Sequence, residues 1–394
     1  MLACANQKGE PEVAGTPVVA DIRQVDFYPL AETAKPPQPF SSPQDRVPQL
    51  LVYDSVTDDI VVAGDSKGSS WLSETTLAVG KQGRLAIYDA VARTWRSSNL
   101  DVPEVLRTSA SPDARYLVIQ EPDQSLEIVD LRSDRLAVVP VSPRDVWWNP
   151  DSTRLLMNSN VPAPRGNSPD YRVDVLAIGA SFALFEVDSG PGEPIAWQWL
   201  GPDRVVAWHT ESNDRMRILD VGSGLARQVF AAPMADANKY AVFAFNKDGS
   251  RVAIQAGNNV TVYESDPFQA LREIPNAKIS ESQFVHQGIW SLDSRAIVLL
   301  ENSCQPDERV TIVEIDSGAR RPVAQAHAYR QGFSPDGKWI YFTHGHSLSI
   351  VPADASAQPR LLYDDVTAAS QISWSSDGRF IAFPRFFGGY DRCI

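Results

Sequence analysis

The chain has 394 residues, with 36 Lys and Arg against 49 Asp and Glu, for a net charge of −13. That balance repels phosphate backbones and anionic lipid, which argues against nucleic-acid binding and against membrane docking through surface charge. No apolar run approaches the roughly 18 residues of a membrane-spanning helix, and the three cysteines, Cys4, Cys304 and Cys393, form no C-x-x-C pair of the zinc-binding kind.

The N-terminus reads Met1-Leu2-Ala3-Cys4-Ala5-Asn6. Small residues before a cysteine resemble the end of a bacterial lipoprotein signal, and the resemblance implies a lipid on Cys4. No charged or apolar region precedes it, which departs from that pattern. Gln7 to Pro48 is rich in Pro, Ala, Glu and Gln and shows little periodicity. Such a segment buries too little apolar surface to offset its ordering entropy. Residues 1–47 are therefore expected to be an anchor and flexible linker, with the folded body at 48–394.

The first candidate motif is Gly64-Asp65-Ser66-Lys67-Gly68, a G-x-S-x-G pattern. It makes a nucleophile only where a strand turns sharply into a helix. Here a short strand, Val61–Val62, precedes it and strand-like sequence resumes at Trp71. A Gly/Ser loop is the better account, and no catalytic residue is assigned.

From Pro48 onward one unit recurs. "FSPDGKWIYF" (Phe333–Phe342), "WSSDGRFIAF" (Trp374–Phe383), "FNKDGSRVAIQ" (Phe245–Gln255) and "WSLDSRAIVLL" (Trp290–Leu300) share an aromatic residue, an Asp three positions later, a small residue and an apolar strand. Weaker copies start at Ala110, Trp148 and Trp199, and the weakest is "WLSETTLAV" at Trp71. The turn acids are Asp113, Asp151, Asp203, Asp248, Asp293, Asp336 and Asp377, with Glu74 as a poor eighth, spaced 38 to 52 residues apart. Asp at this position accepts backbone amides in an Asx-type turn, and the aromatic residue is inter-blade core. Hairpin sequences such as "RLAIYDAVARTW" (Arg84–Trp95) and "SLEIVDLRSDRLAVV" (Ser125–Val139) alternate with this unit. A period near 40–50 residues in an all-strand chain marks propeller blades.

The repeat looks like the TolB-type propeller repeat, a relative of the WD repeat, over roughly Pro48 to the C-terminus. The expected fold is all-β: a closed propeller of four-stranded antiparallel blades. Eight blades are expected, and seven if the Trp71 copy is not a blade. Leu50–Val62 is a hairpin without a preceding partner, and Trp374–Phe383 is one without a following partner. Pairing them closes the ring with no open edge.

With strands A to D in each blade, A–B and C–D turns fall on one face and D–A and B–C loops on the other. The second set varies in length and composition, as functional loops do. His209, His344 and His346 follow B strands, and His286 and His327 precede A strands. Arg165 and Tyr171 belong to the long insertion Ser159–Tyr171, and Phe386, Phe387 and Tyr390 to the C-terminal tail. These ten residues form the candidate binding face. Spacing fixes no acid beside the histidines, so no metal is assigned, and no motif implies a cofactor. The pairing of Cys304 with Cys393 stays open.

The resemblance implies a non-catalytic binding propeller of the bacterial cell envelope. It would be extracytoplasmic, would engage a protein partner, and would touch the membrane only through a lipid on Cys4. The alternative is a propeller enzyme, a lyase or hydrolase acting on glycans or peptides at the channel mouth.

Overall fold

A computed structural model describes residues 16–18, 20–33, 49–64, 69–81, 83–102, 107–120, 125–161, 170–179, 182–191, 194–209, 215–221, 226–231, 242–265, 268–279, 288–303, 305–345, 347–364 and 372–385. Every regular element among them is a strand. Eight four-stranded antiparallel blades succeed one another, the arrangement of an eight-bladed β-propeller. Contacts divide the chain into two compact units, blades 3 and 4 in one and the other six in the second.

The N-terminal strands are β1 (Thr16–Val18), β2 (Asp21–Gln24) and β3 (Phe27–Thr33), then β4 (Gln49–Asp54) and β5 (Asp59–Gly64). Blade 1 comprises β6 (Ser69–Trp71), β7 (Thr76–Lys81), β8 (Arg84–Asp89) and β9 (Thr94–Asp101). Blade 2 comprises β10 (Arg107–Ala110), β11 (Tyr116–Gln120), β12 (Leu126–Asp130) and β13 (Arg135–Val139). Blade 3 is β14 (Asp145–Trp148), β15 (Arg154–Val161), β16 (Asp170–Ala177) and β17 (Phe182–Pro191). Blade 4 is β18 (Pro194–Trp199), β19 (Arg204–His209), β20 (Arg215–Asp220) and β21 (Ala226–Ala231). Blade 5 runs through β22 (Val242–Phe245), β23 (Arg251–Ala256), β24 (Asn259–Ser265) and β25 (Phe268–Pro275). Blade 6 runs through β26 (Ala277–Lys278), β27 (Ala296–Glu301), β28 (Arg309–Glu314) and β29 (Arg320–Gln325). Blade 7 has β30 (Ala328–Phe333), β31 (Trp339–His344), β32 (Ser347–Pro352) and β33 (Arg360–Tyr363). Blade 8 joins β34 (Ser373–Trp374) and β35 (Phe380–Arg385) to β4 and β5.

Blade 8 is the expected composite of the two chain ends. Phe380 pairs with Asp54, Ile381 with Tyr53 and Phe383 with Leu51. Arg379 donates from Nε and Nη2 to the Asp54 carboxylate at 3.0 and 2.8 Å. The weak Trp71 copy is a true blade. Its turn uses Ser73 in place of an acid: Ser73 Oγ accepts the amides of Thr75 and Thr76 at 3.2 and 3.1 Å.

The recurrent A–B turn explains the sequence period. Ser111, Ser291, Ser334 and Ser375 each donate a hydroxyl to the acid two residues on, at 2.6 to 2.7 Å. The same acids accept the amides of Arg115, Arg295, Lys338 and Arg379. The residue after the acid is left-handed in six turns: Ala114, Ser152, Gly249, Ser294, Gly337 and Gly378. Gly378 is obligatory for a second reason, since a Cβ there would lie 2.6 Å from Asp336 Oδ1.

Blades pack through apolar layers, and three tryptophans of the repeat pin neighbours together. Trp71 Nε1 donates to Ser373 O at 3.2 Å and Trp290 Nε1 to Ala244 O at 3.1 Å. In the smaller unit Trp199 Nε1 donates to Trp147 O at 2.9 Å. Trp199, Phe245, Trp290 and Phe333 are thus core, as their register predicts, and Trp71 and Trp374 pack partly buried against it.

The N-terminal segment differs from the expected flexible linker over its described residues. β1 pairs with β17, β2 with β13 and β3 with β9, each adding a strand to the outer edge of a blade. An open D-strand edge offers a row of unpaired backbone groups, and a polar segment can satisfy them without an apolar pattern of its own. The four residues of β2 are exposed, while Val25 between β2 and β3 is buried in the layer between blades 1 and 2. Cys4 and the rest of the anchor lie outside the described residues.

Candidate functional site

The antiparallel order puts the A–B and C–D turns at one end of every blade and the B–C and D–A connections at the other. Five A–B turn acids are engaged by side chains and amides one or two residues away, while Asp203 pairs with Arg154 of blade 3 and the C–D turn acids Asp54 and Asp130 pair with Arg379 and Arg115. At Asp248 and Asp293 the serine hydroxyls and backbone amides hold the carboxyl below its usual range. At Asp336 burial pushes upward, but the bonds from Ser334 and Lys338 outweigh it and the net shift is downward.

The loop end is built differently. In blade 6 the Glu301 side chain is 2% exposed at the end of β27. It accepts Arg309 Nε at 2.9 Å, Thr311 Oγ1 at 2.7 Å and Arg320 Nη1 at 2.7 Å. A carboxylate buried this deeply is stable only with such compensation. Its two arginines keep 41% and 37% of their side-chain surface open to solvent. Glu308, also buried, accepts the Ala328 amide at 3.0 Å and lies 3.3 Å from His327 Nδ1. Ala328 is the register partner of His344, so His327 and His344 both lie at the loop end of blade 7. Both histidines are exposed.

In the smaller unit, Tyr171 starts the buried part of β16, and its hydroxyl donates to Asp188 Oδ2 at 3.2 Å. Arg172 clamps Asp174 through Nε and Nη2 at 2.8 to 2.9 Å. That bond raises the Arg172 pKa above its ordinary value. His209 ends β19, opposite Pro194 and Arg215.

The described candidates therefore fall at the loop end of their blades, His327 and His344 at that of blade 7 and Tyr171 in blade 3. Arg165, His286, His346, Phe386, Phe387 and Tyr390 lie outside the described residues, as do Ser66, Cys304 and Cys393. The G-x-S-x-G pattern at Gly64–Gly68 is succeeded at once by strand β6, so it lacks its helix. Sequence reasoning missed Glu301, Glu308, Arg309 and Arg320. Nothing local marks them, because each depends on a partner across the sheet. Among the described residues no group of three or more His, Cys, Asp or Glu is arranged to hold a metal ion.

Fold and loop-end chemistry define the class: an eight-bladed β-propeller with charged clusters at the loop ends of its blades. No family model matches the chain, and no curated protein does. Among solved structures it is similar to an oligogalacturonate lyase in complex with manganese, at TM-score 0.53 and 14% identity over 93% of this chain and 98% of that one. It is also similar to an oligogalacturonate lyase from Vibrio parahaemolyticus, at TM-score 0.49 and 12% identity over 92% and 98%. At these identities the likeness shows the fold alone.

Proposed function

We propose that this chain is a non-catalytic binding propeller of the bacterial cell envelope, engaging a protein partner through the loop ends of its blades. The observation that carries the reading is the contrast between the two ends. The A–B turn acids Asp113, Asp248, Asp293, Asp336 and Asp377 bond hydroxyls and amides of their own loops. Loop-end carboxylates at Glu301 and Glu308 instead hold the guanidinium groups of Arg309 and Arg320 and the imidazole of His327 at the surface. Exposed charge on a rigid strand end steers and orients a partner. The TolB-type repeat and the lipoprotein-like Cys4 support an exported, tethered protein.

Affinity capture from the native envelope tests this. A partner recovered by the wild type and by Val56→Ser at a C–D turn, and lost with Arg309→Glu and His327→Glu, supports the reading. Equal recovery by all four proteins overturns it. A second reading, a lyase or hydrolase acting on glycans or peptides, rests on the fold shared with the oligogalacturonate lyase. Turnover of a small substrate without any recovered partner would put that reading first.

A further inference from the structure

Blade 6 departs from its neighbours at the loop end. The residue eight places after the turn acid is Ala256 in blade 5, Glu301 in blade 6 and His344 in blade 7, so the repeat does not require a carboxylate there. Each of the three is opposed to the first residue of its C strand: Asn259, Arg309 and Ser347. The connecting loop has two residues in blades 5 and 7, at 257–258 and 345–346, but seven in blade 6, at 302–308. The longer loop is held by its own bonds. Gln305 N donates to Asn302 O at 2.9 Å, Glu308 N to Gln305 O at 3.0 Å and Asn302 Nδ2 to Asp307 Oδ2 at 2.7 Å. Extra chain among the variable loops is where a rigid scaffold carries function.

That loop joins two members of a charged group on one sheet face. Glu301 and Arg309 are directly opposed, Thr311 follows two residues after Arg309, and Arg320 is opposite Val313, two residues further on. Alternate residues of a strand, and residues opposed across it, share a face. The carboxylate, the hydroxyl and both guanidinium groups therefore lie on the same side of blade 6. Glu301 takes one N–H from each arginine, Nε of Arg309 and Nη1 of Arg320. A guanidinium has five N–H donors, so most of them are left for solvent or a ligand. Among the described residues neither arginine pairs with a second acid. One carboxylate against two arginines leaves one net positive charge, on a chain whose total is −13. Replacing such a buried charge group by apolar side chains is often neutral or stabilising, so stability alone does not call for it. What the buried carboxylate supplies is position: two partly exposed cationic side chains are ordered before any partner arrives.

We propose that Arg309 and Arg320 form the site for an acidic side chain, aspartate or glutamate, presented by a protein partner. A carboxylate matches the site in charge and in shape. It neutralises the one net positive charge, whereas a phosphate dianion would leave an excess of negative charge. Its two oxygens accept parallel N–H bonds from a planar guanidinium. The rest of the chain carries an excess of acids, which disfavours other docking poses of an acidic segment. The contact therefore sets register and specificity rather than long-range attraction. The inference rests on the binding-propeller reading and names the chemistry of one contact.

The test is titration of the full chain with an N-acetylated, amidated tri-glutamate peptide, read by calorimetry, with tri-glutamine as the blank. Saturable binding is expected in the wild type, weakened about tenfold or more by Arg309→Gln and by Arg320→Gln. Arg309→Lys keeps the charge and a partner for Glu301 but lacks the planar fork. It should melt close to the wild type and still bind several-fold more weakly, which separates a binding site from a merely structural ion group. Arg93→Gln removes the same charge from a partly exposed arginine at a C–D turn and should leave affinity unchanged. An absence of saturable binding, or equal weakening by Arg93→Gln, overturns the site. Displacement of the peptide by inorganic phosphate at a lower concentration overturns the carboxylate assignment. Tighter binding of a three-sugar alginate fragment, lost with Arg309→Lys, assigns the site to an acidic glycan and overturns the protein contact. If Arg309→Lys recovers the native partner as the wild type does and binds the peptide equally, the site fails and the binding propeller stands. If neither protein recovers any partner, the propeller reading fails, and the titration alone decides the site.

Discussion

The turn ends and the loop ends of the same blades treat polar groups in opposite ways. At the turns, Asp113, Asp248, Asp293, Asp336 and Asp377 are each met by a hydroxyl and an amide within two residues. Toward the loop ends, the side-chain oxygens of Asn158, Thr343, Ser373 and Gln49 are enclosed with no partner among the described residues. A buried donor or acceptor left unmade costs about 1–3 kcal/mol, so a fold selected for stability alone would replace these groups. The turn end is polar because the turns need it. The loop end keeps these groups at a cost in stability.

The strongest way to break the comparison is at the turn end of blade 8. Arg379→Met removes the partner of Asp54, whose side chain is only 10% exposed, and should cost about 3 kcal/mol in urea unfolding. Burial pushes the Asp54 carboxyl upward, but the Arg379 bond and the Val56 amide outweigh it, so its pKa in the fold is depressed. The pair's stabilisation is therefore complete above the unfolded aspartate value, roughly 3.9. It is lost as pH falls through the lower folded value. The variant should show a shallower acid limb than the wild type; an unchanged limb would remove Asp54 from ring closure.

At the loop end the sign reverses. Thr343 is 1% exposed and its hydroxyl has no partner among the described residues. Thr343→Val should raise stability by about 1 kcal/mol, read as a higher melting temperature, and a loss would show that the hydroxyl has a partner after all. The smallest effect belongs to the turns again. Ala114 sits at φ 59° where three other blades use glycine. Ala114→Gly relieves a left-handed backbone and should gain up to about 1 kcal/mol, offset in part by the freer unfolded chain. A net loss would mean that the Ala114 methyl packs usefully.

The blade count, the turn acids, the inter-blade tryptophans and the composite eighth blade were legible in the sequence. The repeat unit is written in a window of about ten residues: an acid that bonds its own loop, a residue that tolerates positive φ, an aromatic side chain at fixed distance. Local chemistry of that kind repeats wherever the blade repeats. Two features were decided only by tertiary structure. β2 and β3 carry no alternating pattern, because strands that add to open edges are held by backbone bonds rather than by an apolar face. Glu301 draws its three donors from β28 and β29, so its own neighbours in sequence look ordinary. Turn chemistry acts between adjacent residues and is visible in one dimension, whereas a site spanning strands depends on register, which the folded sheet alone sets.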